Sequence, residues 1–412
     1  MNIGLDKIFA KINSTEKPQI IEFWFKPNGI GITIILYLVI RISLSMWASF
    51  VLNNYPYSIQ THWNTHAIEF YEQITDGFSE NNRRFHDSFL KPWFRWDSEW
   101  YLRIAVEGYK PGGSSAFAPI YPVLIRFTGS LLGGNSLLGA YLISNLATII
   151  CCILLYQETR SKLGSPTAER TVLFLLAFPT AFFLMSAYSE SLFLLFVLIA
   201  WRFMHRHQWL WSLVFSALAI LTRFQGIGLI LPLVYYWYKS HPSNRLWGIA
   251  YLSLPLVFFT WGIYVHNVLG TEYPWEALEE YWNLRIGWPW EGYANNISLL
   301  INPSKHVITD PFSLSMDLLV ATLFIILTVA AVKYLPAEYP LLMLVLFAPI
   351  LFKVGNSGIF VSVSRYVLPL FPGFMVLGYL CRNKIYRVGW IVVSLTMQAI
   401  MCAAFILWVW VA

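Results

Sequence analysis

The sequence predicts an all-α, polytopic membrane protein. Of its 412 residues, 57% are hydrophobic and only 12% charged. Apolar runs of roughly 18 or more residues recur along the whole chain, each long enough to cross a bilayer as a helix. Lys and Arg gather in the short segments between alternate runs, whereas acids gather in two long ones. That asymmetry belongs to a membrane-spanning chain with a defined orientation.

Taken in order, residues 1–29 carry several charges and no small-residue cleavage pattern, so they read as an amphipathic cytoplasmic lead-in. Spans follow at roughly 30–52, 136–157, 170–186, 188–204, 209–223, 224–239, 246–267, 312–333, 337–353, 364–381 and 388–411, about eleven in all. Breaks or tilts are expected around Pro179, between Ala219 and Pro232, and around Pro369, where the freed backbone must face protein and not lipid. With the N-terminus inside, the cytoplasmic segments hold Arg160, Lys162, Arg170, Arg202, Arg206, Lys239, Arg245, Lys333, Arg382, Lys384 and Arg387. The whole of 1–412 reads as one integral membrane domain, with a first outer loop at 53–135 and a second, acid-rich one at 268–311.

Several function classes drop out. The net charge of +6 is dispersed over short loops, with no basic face to track a phosphate backbone, so no nucleic-acid partner is expected. Cys151, Cys152, Cys381 and Cys402 lie in or beside spans without C-x-x-C or zinc spacing and read as packing residues. His62, His66 and His86 lack ligand spacing, so no metal site is expected and no cofactor is implied. Nor is there a nucleotide-binding glycine loop or a D-x-D pair for a metal–nucleotide-sugar.

The first outer loop carries the chemistry. In Phe94-Arg95-Trp96-Asp97-Ser98-Glu99-Trp100-Tyr101, two carboxylates stand among aromatics at the membrane rim. The spacing of Trp96, Trp100, Tyr101, Ile104 and Ala105, closed by Gly108, predicts a short amphipathic helix on the outer leaflet. Asp97 has two readings: an N-cap for that helix, or a general base taking a proton from a sugar hydroxyl. Glu99, two residues on, points elsewhere if both are helical, so the two do not form a metal pair. The next apolar stretch, 116–134, predicts an interfacial or re-entrant helix packed on the first, because a full crossing there would invert the positive-inside pattern.

The order R-W-D-x-E at 95–99, I-A-x-x-G-Y at 104–109 and A-F-x-P-x-Y-P at 116–122 resembles the signature of the PIG-V family, the GPI mannosyltransferase 2 group with its prokaryotic relatives. Phe178-Pro179 through Tyr188-Ser189-Glu190-Ser191-Leu192-Phe193 is similar to a second block of that family. Residues 61–90 read as an insertion, and Thr222-Arg223-Phe224-Gln225-Gly226 departs from the R-S-N-G of eukaryotic members. The resemblance implies a GT-C glycosyltransferase architecture. It further implies a polyprenyl-phosphate sugar donor, with mannose the expected sugar, and a glycolipid or other membrane-associated acceptor. Membrane lipids would be further partners, and the active site would lie on the outer face of the cell membrane. Asp97 is then the catalytic residue, with Glu99 beside it.

Substrate contacts are expected from Arg95, Trp96, Trp100, Tyr121 and Tyr188 within these blocks, the two tryptophans by stacking on a sugar ring. Arg223 and Arg365 lie at the outer ends of apolar spans, against the usual charge preference, and Arg126 sits among apolar residues. Each reads either as a clamp for the donor phosphate or as a cation snorkelling to headgroups. Glu190 either binds sugar or pairs with an Arg. Arg41 and Asp317, inside spans, are assigned only a buried pairing or a cavity lining. The alternative to an enzyme is a multi-pass transporter or lipid flippase, disfavoured because the ionisable residues collect at one rim and not at the midplane.

Overall fold

The computed structural model describes residues 27–55, 62–240, 246–302, 311–355 and 357–411. The expected lead-in falls outside these residues up to position 26, as do Arg245, Lys305 and Asp310. Helices dominate, and the only sheet among the described residues is a short antiparallel pair, Leu284–Ile286 with Lys353–Gly355.

Five helices are long and apolar enough to cross a membrane: Gly29–Asn54, Ser136–Leu163, Leu246–Asn267, Pro311–Tyr334 and Lys384–Ile406. Their near-continuous hydrophobicity, broken within the spans by the buried Arg41 and Asp317, is what a bilayer demands of a helix. The other predicted spans are shorter helices, Glu338–Leu351 unbroken and the rest interrupted where breaks were expected. Ser165–Leu176 and Glu190–His205 flank a break at Pro179; Trp209–Ile220 and Ile230–Lys239 flank a 3-10 turn; Val363–Tyr366 and Phe371–Leu380 flank Pro369.

Freed backbone at the first break is satisfied by protein. Every residue from Phe174 to Leu195 is buried. Gln398 donates to the carbonyls of Leu176 (2.9 Å) and Phe178 (3.0 Å), Asn145 to Met185 (3.1 Å), Ser144 to Tyr188 (2.9 Å) and Thr180 to Ser364 (2.6 Å). Side chains of the helices Lys384–Ile406 and Ser136–Leu163 thus replace the lost helical hydrogen bonds, the condition for irregular backbone at membrane depth, while the Thr180 hydroxyl of the break serves the Ser364 carbonyl. The break in turn aims Tyr188, Ser189 and Glu190 at the segment 95–101.

The helix Asp97–Glu107 does not lie free on a leaflet. Asp97, Ser98, Tyr101, Leu102, Ile104 and Ala105 are buried, packed on Ile120–Leu131 and Ser136–Leu163. The expected N-cap is also corrected: Trp96 occupies the cap position, in a left-sided conformation (φ 53°, ψ −120°) and with no side-chain cap bond, while Asp97 is the first helical residue. A non-glycine residue held there stores strain next to the carboxylate. Within the inserted segment, the helix His62–Thr75 packs Phe70 and Tyr71 against Phe94.

Candidate active site

Four residues far apart in sequence converge at one end of the helices. Arg365 Nη1 donates to Asp97 Oδ2 at 2.8 Å. The same guanidinium places Nε 3.4 Å from Glu190 Oε1, and Arg223 Nη1 donates to that oxygen at 2.6 Å. Glu190 is 0% exposed, Arg365 3% and Asp97 8%. Burial this complete makes the two carboxylates and two guanidiniums dependent on one another, because any one left alone would be a buried bare charge.

Local structure explains the convergence. Glu190 opens the helix Glu190–His205, where a carboxylate suits the helix dipole. Arg223 stands in extended backbone (φ −151°, ψ 129°) at the mouth of the 3-10 turn Phe224–Leu229. Arg365 sits in the short helix Val363–Tyr366, entered through Ser362 in the left-handed region (φ 60°). Asp317 Oδ1 accepts from the Ser364 backbone N–H at 2.8 Å and so anchors that helix to the span Pro311–Tyr334. Asp317 is buried, and its hydrogen-bond partner is this backbone N–H, where the sequence suggested a pairing or a cavity lining.

Tyrosines and a serine fix the remaining geometry. Tyr101 OH and Ser189 Oγ are 2.7 Å apart, and Arg223 Nη1 also reaches Ser189 Oγ at 3.2 Å. Tyr188 OH donates to the Arg95 carbonyl (2.9 Å), tying the Pro179 break to the residue two before Asp97. Tyr121 OH and Ser144 Oγ are 2.7 Å apart, with the Tyr121 ring edge-on to Tyr101.

Other nominated residues stand outside this cluster. Glu99 pairs with Arg103 (2.7 Å), and burial pushes its carboxyl pKa up despite that partner. Arg95 is buried and donates to the carbonyls of Ile406 (2.9 Å) and Phe94 (2.8 Å), clasping the last helix. Arg126 donates to the carbonyls of Ala105 (2.6 Å) and Val106 (3.2 Å), at the C-terminal turn of the Asp97–Glu107 helix. Trp96 meets Trp408 and Trp410 edge-on, and Trp100 stacks on Phe117 with Trp282 across its edge. A cavity of about 200 Å³ lies between Tyr71, Phe94 and Trp408, away from the carboxylates. Arg41 stacks between Trp93 and Tyr141.

Two members were not anticipated. Tyr366 OH accepts from Arg365 Nη2 at 3.0 Å, and Lys353 Nζ lies 3.6 Å from the centre of the Tyr366 ring. Lys353 ends the apolar run 337–353 at the same rim as Arg223 and Arg365, so the criterion that singled out those arginines applies to it equally. No group of three or more His, Cys, Asp and Glu among the described residues is arranged to hold a metal ion.

Residues 32–240, just over half of the chain, match the family described as Mannosyltransferase (PIG-V). The chain belongs to that family. The matched stretch contains Asp97, Glu190 and Arg223, whereas Lys353 and Arg365 lie beyond it. Neither a curated protein nor a solved structure matches the chain. PIG-V membership and the long apolar helices make the chain a membrane mannosyltransferase, which leaves the transporter reading without support.

Proposed function

We propose that the protein transfers mannose from a polyprenyl-phosphate donor to a glycolipid or similar membrane-bound acceptor at the outer face of the membrane, with Asp97 as general base and inversion at the anomeric carbon. The observation that carries this reading is the Asp97–Arg365–Glu190–Arg223 chain of contacts, which sets a proton acceptor directly beside a pair of guanidiniums. Asp97 takes the acceptor hydroxyl's proton as its oxygen attacks the anomeric carbon. Arg365 and Arg223 hold the phosphate that leaves with the electron pair, since a guanidinium fork matches phosphate oxygens in two bonds. Glu190 keeps both guanidiniums in place between turnovers.

Placement on the outer face is supported by the segregation of charge along single helices. Glu190 opens its helix and His205 closes it, about 22 Å away at 1.5 Å per residue. At that far end Arg202 donates to Gln157, and Lys239 lies 3.5 Å from Glu338, within the segments the positive-inside pattern makes cytoplasmic.

Purified protein in lipid nanodiscs, given radiolabelled polyprenyl-phosphate mannose and membrane glycolipid, should form mannosylated lipid with the anomeric configuration opposite to the donor's. Transfer with retained configuration would overturn the single-displacement mechanism, and no use of this donor would overturn the donor assignment.

A further inference from the structure

We infer that Lys353 is a third ligand for the donor phosphate, positioned by Tyr366, and that it is the cation that this phosphate neutralises. The inference deepens the donor reading above and rests on it. Three cations surround the Tyr366 ring: Lys353 Nζ at 3.6 Å, Arg223 Cζ at 4.6 Å and Arg365 Cζ at 4.8 Å from its centre. Against them stand two paired carboxylates. Glu190 takes both arginines and Asp97 takes Arg365. The remaining nearby acid, Asp317, is directed at the Ser364 backbone N–H and forms no ion pair within 4 Å among the described residues. Lys353 therefore has Tyr366 as its side-chain partner and no carboxylate within 4 Å among the described residues, the Asp317 charge acting on it only from farther away. A half-buried ammonium in that position is costly unless an anion arrives.

The backbone holds Lys353 where an anion would meet it. It lies in the short strand Lys353–Gly355, paired with Ile286 of the second outer loop, immediately after the apolar helix Glu338–Leu351. Lys353, Tyr366 and Arg223 are the partly exposed members of the cluster, while Arg365, Glu190 and Ser189 are buried. The lysine thus stands on the accessible edge, and the arginines behind it are already engaged.

Charge stays balanced through the transfer. Before reaction, a phosphodiester carries one negative charge, which with Asp97 and Glu190 offsets the three cations. The acceptor O–H proton moves to Asp97, a bond forms between acceptor oxygen and anomeric carbon, and the carbon–oxygen bond to phosphate breaks with its electron pair on phosphate. Asp97 becomes neutral as the phosphate gains its second charge, so the same three cations are offset before and after. Arg365 Nη1, released from Asp97, turns to the leaving group while Nε stays beside Glu190.

The test uses radiolabelled polyprenyl phosphate, the product lipid, bound to full-length protein in nanodiscs, alongside transfer kinetics. Lys353→Met should weaken binding about tenfold or more, the size of one charge-assisted hydrogen bond. It should raise donor KM similarly and leave acceptor KM unchanged, and Lys353→Arg should restore most of the loss. Without ligand, Lys353→Met should melt no lower than wild type, because methionine keeps the apolar contact with the Tyr366 ring and removes a partly buried charge that has no carboxylate within 4 Å among the described residues. Binding within twofold of wild type would overturn the role of Lys353 while leaving the donor reading intact. So would a lower melting temperature, which would make the lysine a structural partner of Tyr366. If wild type itself fails to bind polyprenyl phosphate, the donor reading falls, and this inference with it.

Discussion

Replacing Glu190 with Gln isolates the electrostatic work of the cluster. Glu190 accepts from Arg223 at 2.6 Å and faces Arg365 Nε at 3.4 Å, and it is fully buried. Removing one partner of a buried ion pair typically costs about 3–5 kcal/mol. The Gln amide oxygen still accepts from Arg223, so the loss should fall toward the lower end of that range. Two guanidiniums then lack a shared counter-ion, and a phosphate can supply it. Ligand at a hundredfold excess over its Kd adds about 2.7 kcal/mol, and tighter binding adds more. All four cysteines are buried, so reaction of a thiol-specific dye on heating reports unfolding. Glu190→Gln should melt well below wild type, and polyprenyl phosphate should raise its melting temperature by more than it raises that of wild type. Equal melting temperatures, or a ligand shift no larger than in wild type, would refute the view that Glu190 holds both arginines ready for phosphate.

Three further outcomes follow from the same geometry. Asp317→Ala orphans the Ser364 N–H, a loss of about 1–3 kcal/mol, and should raise donor KM by displacing Arg365; Asp317→Asn, which still accepts, should restore it. Burial raises the Glu99 pKa above its unfolded value, so the native chain binds this proton more tightly than the unfolded chain does. That stabilisation is complete below the unfolded pKa, about 4.3, and is lost as pH rises through the folded one; the neutral Glu99→Gln variant should flatten the resulting slope of melting temperature against pH. In a cysteine-free background, single cysteines at the exposed positions Lys110 and Ser161 should label from opposite sides of the membrane, and labelling from one side would overturn the orientation.

Much of the architecture was legible because bilayer crossing leaves a coarse signal. The runs read at 136–157 and 312–333 became Ser136–Leu163 and Pro311–Tyr334, and the breaks foreseen at Pro179, Ala219–Pro232 and Pro369 are where helices stop. Asp97, Glu190, Arg223 and Arg365 were each visible as a charge at an apolar rim, although nothing in their spacing said that they would touch. What stayed hidden was local. Asp97 looks like a cap until the positive φ of Trp96 is known, and the Trp96 ring packs on Trp408 and Trp410 from the other end of the chain. Arg95 and Arg126 look like anion ligands, but the carbonyls they serve are exposed only once the Ile406 and Ala105 helix ends are in place. Lys353 ends a span as an ordinary cation would, and its position over Tyr366 depends on strand pairing across 67 residues of chain.

The rate of single-turnover transfer by Asp97→Asn tests the central claim most directly. Asn keeps the shape and an acceptor oxygen for Arg365, and no helix cap is at stake because Trp96 holds that position. It cannot take a proton as a base. The account predicts that mannose transfer from pre-bound donor slows by about 10²-fold or more, while donor binding stays at least as tight because a negative charge that competes with phosphate for Arg365 is gone. Transfer by Asp97→Asn at close to the wild-type rate would contradict it and would move the base to another carboxylate.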